Sequence, residues 1–194
     1  MTSATMHNSN SQDGLFEMAV QALRQGDSTA AVARLEEAAS RGDASARACY
    51  LLGAQYAQMN RFDDAAHQFD RAVALNPALS VARFQHGLLA LTMGDAPEST
   101  RILSPLLQLG EIDPFTHFAA GLLHLVRNEF ANALACLERG IVLNAANPPL
   151  NADMRKLMDR IRSTIAIAAA EENVGTTGNA TPHVLLSAYT GKGL

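Results

Sequence analysis

The sequence predicts an all-α repeat protein. Three observations carry that reading: a composition led by helix formers, a 34-residue period without insertions, and a helical apolar spacing after the repeats. Apolar residues make up 48% of the chain, aromatics only 5%, and Trp is absent. Ala and Leu dominate, both strong helix formers, and alternating runs of Val, Ile and Thr are missing.

At 194 residues the chain can bury a continuous core within one domain. Its net charge of −4 comes from 15 basic and 19 acidic residues, with no dense basic run. Nucleic acid is therefore excluded as a main partner, since its backbone demands clustered cations. The longest wholly apolar stretch, residues 165–170, falls far short of the ~20 residues of a membrane span, so no membrane insertion is expected. Cys49 and Cys136 lie far apart and show no metal-ligand spacing; both read as small buried apolar residues in a reducing compartment. Residues 1–13 are rich in Ser, Asn and Thr and hold no apolar segment of the kind a secretory signal needs. The expectation is a soluble cytoplasmic protein with a disordered N-terminus over 1–13.

The period organises the rest. Ala19, Gly53, Gly87 and Gly121 stand 34 residues apart. Small residues in such a column let two helices cross closely. Three more columns keep the step: Ala22, Tyr56, Ala90 and His124; Ala31, Ala65, Ser99 and Ala133; Leu35, Phe69, Leu103 and Leu137. One supersecondary unit is copied four times over 14–147, in frames 12–45, 46–79, 80–113 and 114–147.

The second copy carries a family resemblance. Leu52-Gly53, Tyr56, Ala65, Phe69, Ala72 and Pro77 resemble the tetratricopeptide (TPR) signature at its full spacing, with Cys49 where that family often has Trp. The resemblance implies a right-handed α-solenoid of four TPR helix pairs plus a C-terminal capping helix. First helices are predicted over 14–25, 46–59, 80–93 and 114–127, and second helices over 29–41, 62–75, 96–109 and 130–143. Gly26-Asp27, Asn60, Gly94-Asp95 and Asn128 fall at the turns, offering left-handed backbone and N-cap acceptors. Pro97 suits a first helical turn. Pro105, inside the second helix of the third repeat, should remove a backbone bond and bend it.

After Pro148-Pro149, residues 148–172 read as the capping helix. Leu150, Met154, Leu157, Met158, Ile161 and Ile165 recur on one side, and charged residues fill the other. Residues 173–194 turn to Gly, Thr, Asn and Ser, the composition of a flexible tail. It holds one apolar island, Val184, Leu185, Leu186 and Tyr189, on a tether able to reach at most about 30 Å. The island can fold back and compete with a partner through a high effective concentration.

In the TPR family the first helices line the binding groove. Position 5 of each frame reads Phe16, Tyr50, Phe84 and Phe118; position 9 reads Val20, Ala54, Leu88 and Leu122; position 12 reads Leu23, Ala57, Leu91 and Leu125. The expected groove is apolar along its length and suits an amphipathic helix or extended apolar segment of a partner protein. TPR domains that clamp chaperone carboxyl termini use Lys and Asn at positions 5 and 9. The apolar side chains here cannot neutralise a buried anion, so that role is excluded. The groove is similar in character to those of the TPR chaperones of bacterial type III secretion translocators. An apolar groove can also be filled by a second copy, giving a homodimer. A structural subunit of a larger assembly is the alternative to an adaptor or chaperone.

Catalytic signatures are missing: no GxxxxGK[ST], GxSxG, HExxH or GxGxxG occurs. His86, His117 and His124 fall on the packed edges of first helices, where His86 and His117 can approach each other, but a zinc site lacks its further ligands. Glu36-Glu37, Asp63-Asp64 and Glu171-Glu172 are adjacent pairs whose side chains diverge by about 100° on a helix. The sequence thus predicts no enzyme, no metal and no cofactor.

Overall fold

In the computed structural model the backbone is described for residues 3–40 and 45–173, and the side chains for 14–40 and 45–170. Helices follow one another as α1 (Ser3–Arg24), α2 (Ser28–Ser40), α3 (Ala46–Gln58), α4 (Phe62–Leu75) and α5 (Ser80–Thr92), then α6 (Ala96–Leu103), α7 (Pro114–Val126), α8 (Phe130–Leu143) and α9 (Pro148–Asn173). A short 3-10 helix, Ser104–Gln108, follows α6. Among the described residues there is no strand.

The turns inside the pairs repeat at the sequence period. Gly26, Asn60, Gly94 and Asn128 all have positive φ, from 58° to 83°. In each turn the next residue donates its N–H back to the preceding helix: Asp27 to Ala22, Arg61 to Tyr56, Asp95 to Ala90 and Glu129 to His124, each at 2.9 Å. These bonds satisfy carbonyls the helix end would otherwise leave unpaired, and Gly or Asn supplies the left-handed residue they need. Asp27 and Asp95 also cap the following helices, accepting from the amides of Ala30 and Glu98 at 2.9 Å.

Close crossing explains the small-residue column. A Cβ on Gly53 would lie 2.8 Å from the Phe69 ring, and one on Gly121 would lie 2.9 Å from Leu137. Phe69 and Leu137 belong to the large column of the second helices. Small and large columns therefore interlock within a pair.

Packing divides the chain into two compact units, Met1–Leu89 and Ala90–Leu194. In the first, Ala19, Val32, Leu35, Leu52, Tyr56, Ala65, Phe69 and Leu89 form one core cluster, and Cys49, Ala72 and Ala82 form another. Tyr56 donates its hydroxyl to Glu36 at 2.7 Å, tying α3 to α2, and the Arg61 guanidinium lies 4.1 Å over its ring. In the second unit, Phe118, Leu122 and Leu137 are buried, as are Leu150, Met154, Leu157, Met158 and Ile161 of α9. Asn144 and Asn151 join α9 to the end of α8 by reciprocal bonds of 2.8 Å, leaving both buried amides paired.

Two expectations need correction. α1 begins at Ser3, inside the stretch read as a disordered N-terminus. Ser, Asn and Thr nucleate helices poorly, but extending an existing helix costs far less than starting one. The second concerns the extent of the second helix of the third repeat, expected over 96–109, which Pro105 shortens. α6 stops at Leu103 and the chain tightens into the 3-10 turn, because Pro105 has no N–H for the next α-helical bond. Ser104 donates its hydroxyl to the Thr100 carbonyl at 2.6 Å, and Leu106 is still buried.

Candidate protein-binding face

Two rows of apolar side chains are left partly open in the first unit. Phe16, Val20 and Leu23 follow the i, i+4, i+7 spacing on α1, and Tyr50, Ala54 and Ala57 follow it on α3. All six are half-buried. Phe16, Tyr50, Ala54 and Ala57 pack on the same core cluster. Tyr50 also lies against the cluster of Cys49, Ala72 and Ala82, with its ring 6.2 Å from that of Phe69. Burial raises its phenol above the usual tyrosine range, so the ring is neutral and offers a donor at the rim.

The remaining candidates are placed differently. Phe84, Phe118 and Leu122 have no accessible surface, and Leu91 retains 5%. Their side chains belong to the interior and offer a partner nothing in this conformation. Leu88 and Leu125 are half-buried. An aromatic at position 5 in every copy thus reads as a surface row in sequence, yet only two of the four rings reach the surface.

For Phe118 the reason is visible at α8. A Cβ on Gly140 would come within 2.5 Å of the Phe118 ring, so the missing side chain is the slot that ring fills. Repeats one and two carry Ala38 and Ala72 at the same place in the frame. Phe115, at position 2, meets Phe118 edge-on at 6.1 Å and is half-buried.

The frame also places Arg24 at position 13 of the first copy and Arg47 at position 2 of the second, both exposed. Val184, Leu185, Leu186 and Tyr189 lie outside the described residues.

The histidines take separate partners. His86 is buried, its Nδ1 3.5 Å from Asp70 and its ring 6.3 Å from that of Phe69, whereas His117 Nε2 meets the Glu111 carbonyl at 2.7 Å. His124 pairs with the Glu129 carboxylate. Among the described residues no group of three or more His, Cys, Asp or Glu is placed to hold a metal ion. Both cysteines are free, and burial raises each thiol above its usual range, which disfavours the reactive thiolate. No described helix is long and apolar enough to cross a membrane.

Residues 46–79 match the tetratricopeptide repeat family. Those residues are α3, α4 and the turn between them, where Gly53 interlocks with Phe69. This is a tetratricopeptide-repeat fold. Among solved structures, a TPR protein from Parabacteroides merdae superposes with a TM-score of 0.61 at 17% identity, covering 92% of this chain and 73% of its own. MamA from Desulfovibrio magneticus RS-1 gives 0.57 at 17% identity, over 84% of this chain and 91% of that one. An O-GlcNAc transferase from Thermobaculum terrenum gives 0.55 at 23% identity, over 68% of this chain but only 26% of the transferase. No curated protein matches the chain in sequence. Identities this low speak for the fold alone.

Proposed function

We propose that the chain is a protein–protein interaction module, an adaptor or chaperone, that binds an apolar helix or extended segment of a partner. The observation that carries this reading is the two partly open apolar rows of the first unit, Phe16, Val20 and Leu23 on α1 and Tyr50, Ala54 and Ala57 on α3, which share one core cluster through Phe16, Tyr50, Ala54 and Ala57. Aromatic side chains at such a surface supply large contact area at little entropic cost. Exposed Arg24 and Arg47 favour acidic residues flanking the bound segment. Leu88 and Leu125 are the half-buried candidates on the later first helices. Phe84, Leu91, Phe118 and Leu122 then act by shaping those helices, not by touching the partner.

The free, unreactive cysteines fit a reducing, cytoplasmic setting. A narrower reading, a chaperone of type III secretion translocators, rests on groove chemistry shared with that class.

The test is affinity capture from the native host's lysate with wild type and a Phe16→Glu, Tyr50→Glu variant. Both side chains keep only part of their surface open, so circular dichroism must first show that the variant retains the helical fold. A protein retained by wild type and reduced at least about tenfold by the variant places the partner on this face. Equal retention of every captured protein by both would remove the proposal. Glu at Phe84 or Phe118 would test folding instead, since each would bury an unpaired carboxylate.

A further inference from the structure

The two halves of α9 differ in what they meet. From Leu150 to Ile161 the helix is amphipathic: Leu150, Met154, Leu157, Met158 and Ile161 are buried, and charged residues such as Lys156 and Asp159 face outward. After Ile161 no residue through Ala170 is buried, although residues 165–170 are apolar on every side. Ile165 and Ile167 stand 39% and 59% exposed. The buried stripe continues past the point where it is covered, through Ile165 and Ala168 at the same four-three spacing. A helix apolar all round is ordinarily buried.

We propose that this half of α9 is a self-association surface, occupied by the same half of a second copy running antiparallel. The sequence of the stripe is complementary to itself in that direction. Pairing centred between residues 166 and 167 sets Ile165 of each copy against Ala168 of the other, a large side chain into a small one, twice. Ala168 and Ala169 let the axes approach to about 8 Å. The same register brings Arg160 of each copy to the end of the partner helix, where positions 171 and 172 are both Glu in sequence. A parallel pairing would place Arg160 beside Arg160 and the acidic ends together. The uncovered length, Arg162 to Ala170, spans about 14 Å. So short an interface sits at the low end of stable contacts, and dissociation on the order of tens of micromolar is expected.

Sedimentation of the full chain across that range tests the proposal. A concentration-dependent dimer is expected. Ile165→Glu with Ala168→Glu should abolish it while leaving the circular dichroism and melting temperature unchanged, since neither side chain is buried. The register is read by mixing Ile165→Cys and Ala168→Cys chains, both in a Cys136→Ser background, under mild oxidation. A disulfide between the two different variants is expected in preference to either like pair. Preferential pairing of Ile165→Cys with itself overturns the antiparallel register. A full chain that is monomeric at every concentration overturns the proposal. If the chain shortened to residues 1–173 then dimerises, residues 174–194 of the same copy are the occupant instead.

Discussion

Tyr50 in α3 and Phe118 in α7 hold the same place in the 34-residue frame, yet one ring is half-open and the other sealed. The difference lies on the antiparallel helix behind each. α8 offers Gly140, and the Phe118 ring sinks into the space a Cβ would take. α4 offers Ala72, so Tyr50 lies over that methyl and packs obliquely towards Phe69. In the fourth repeat a residue off the candidate face therefore seats the aromatic in the core.

Truncating the two rings should separate these roles most widely. Phe118→Ala leaves a sealed cavity and should cost about 3–5 kcal/mol. Tyr50→Ala removes a half-solvated ring and should cost roughly 1–2 kcal/mol, consistent with partial loss of a buried aromatic. Urea unfolding of both variants is the check, and equal costs would break the contrast.

Gly140 gives the next largest effect. In an unobstructed helix Gly→Ala stabilises by up to about 1 kcal/mol. Here the added methyl meets ring carbons at 2.5 Å, so Gly140→Ala should instead destabilise by about 1–3 kcal/mol. Phe118→Leu should recover part of that loss. A double-mutant cycle without coupling would show that Gly140 is not what admits the ring.

The fold was legible because its determinants are local and repeat. Gly26, Asn60, Gly94 and Asn128 announce the turns, and Gly53 against Phe69 announces the crossing, each at a fixed spacing. The helix ends follow closely, except where Pro105 cuts α6 short and where α1 runs back to Ser3. The candidate face was legible in position but not in exposure. Position 5 is aromatic in all four copies, and nothing in that column says which rings sink. For Phe118 that information sits 22 residues later, at Gly140, and only packing gives it meaning; Phe84 sinks as well, with Leu106 at that place. Self-complementarity in α9 was equally present in the letters, but the spacing alone does not tell where the cover provided by the chain ends.

The smallest effects distinguish the same two repeats by pH. Tyr56 and His124 share a column, and each pairs with a carboxylate, Glu36 and Glu129 respectively. Burial first, then the bond to Glu36, raises the Tyr56 phenol to about 12. In the unfolded chain it titrates near pH 10. The folded state holds that proton more tightly, so this stabilisation is complete below about pH 10 and is lost as pH rises towards 12. Burial raises Tyr50 as well, so Tyr56→Phe should reduce the alkaline loss without removing it, and cost about 1 kcal/mol at neutral pH. Glu129 acts at the other end of the scale. The bond to His124 is the main cause that holds its carboxyl below the usual range. Its contribution is present above about pH 4.3 and fades as pH falls through the lower folded value. Glu129→Gln should therefore flatten the acid limb of a stability–pH profile slightly and leave the alkaline limb unchanged, while Tyr56→Phe does the reverse. If either substitution moved both limbs, the two pairs would not be titrating independently, and the assignment of one limb to each repeat would fall.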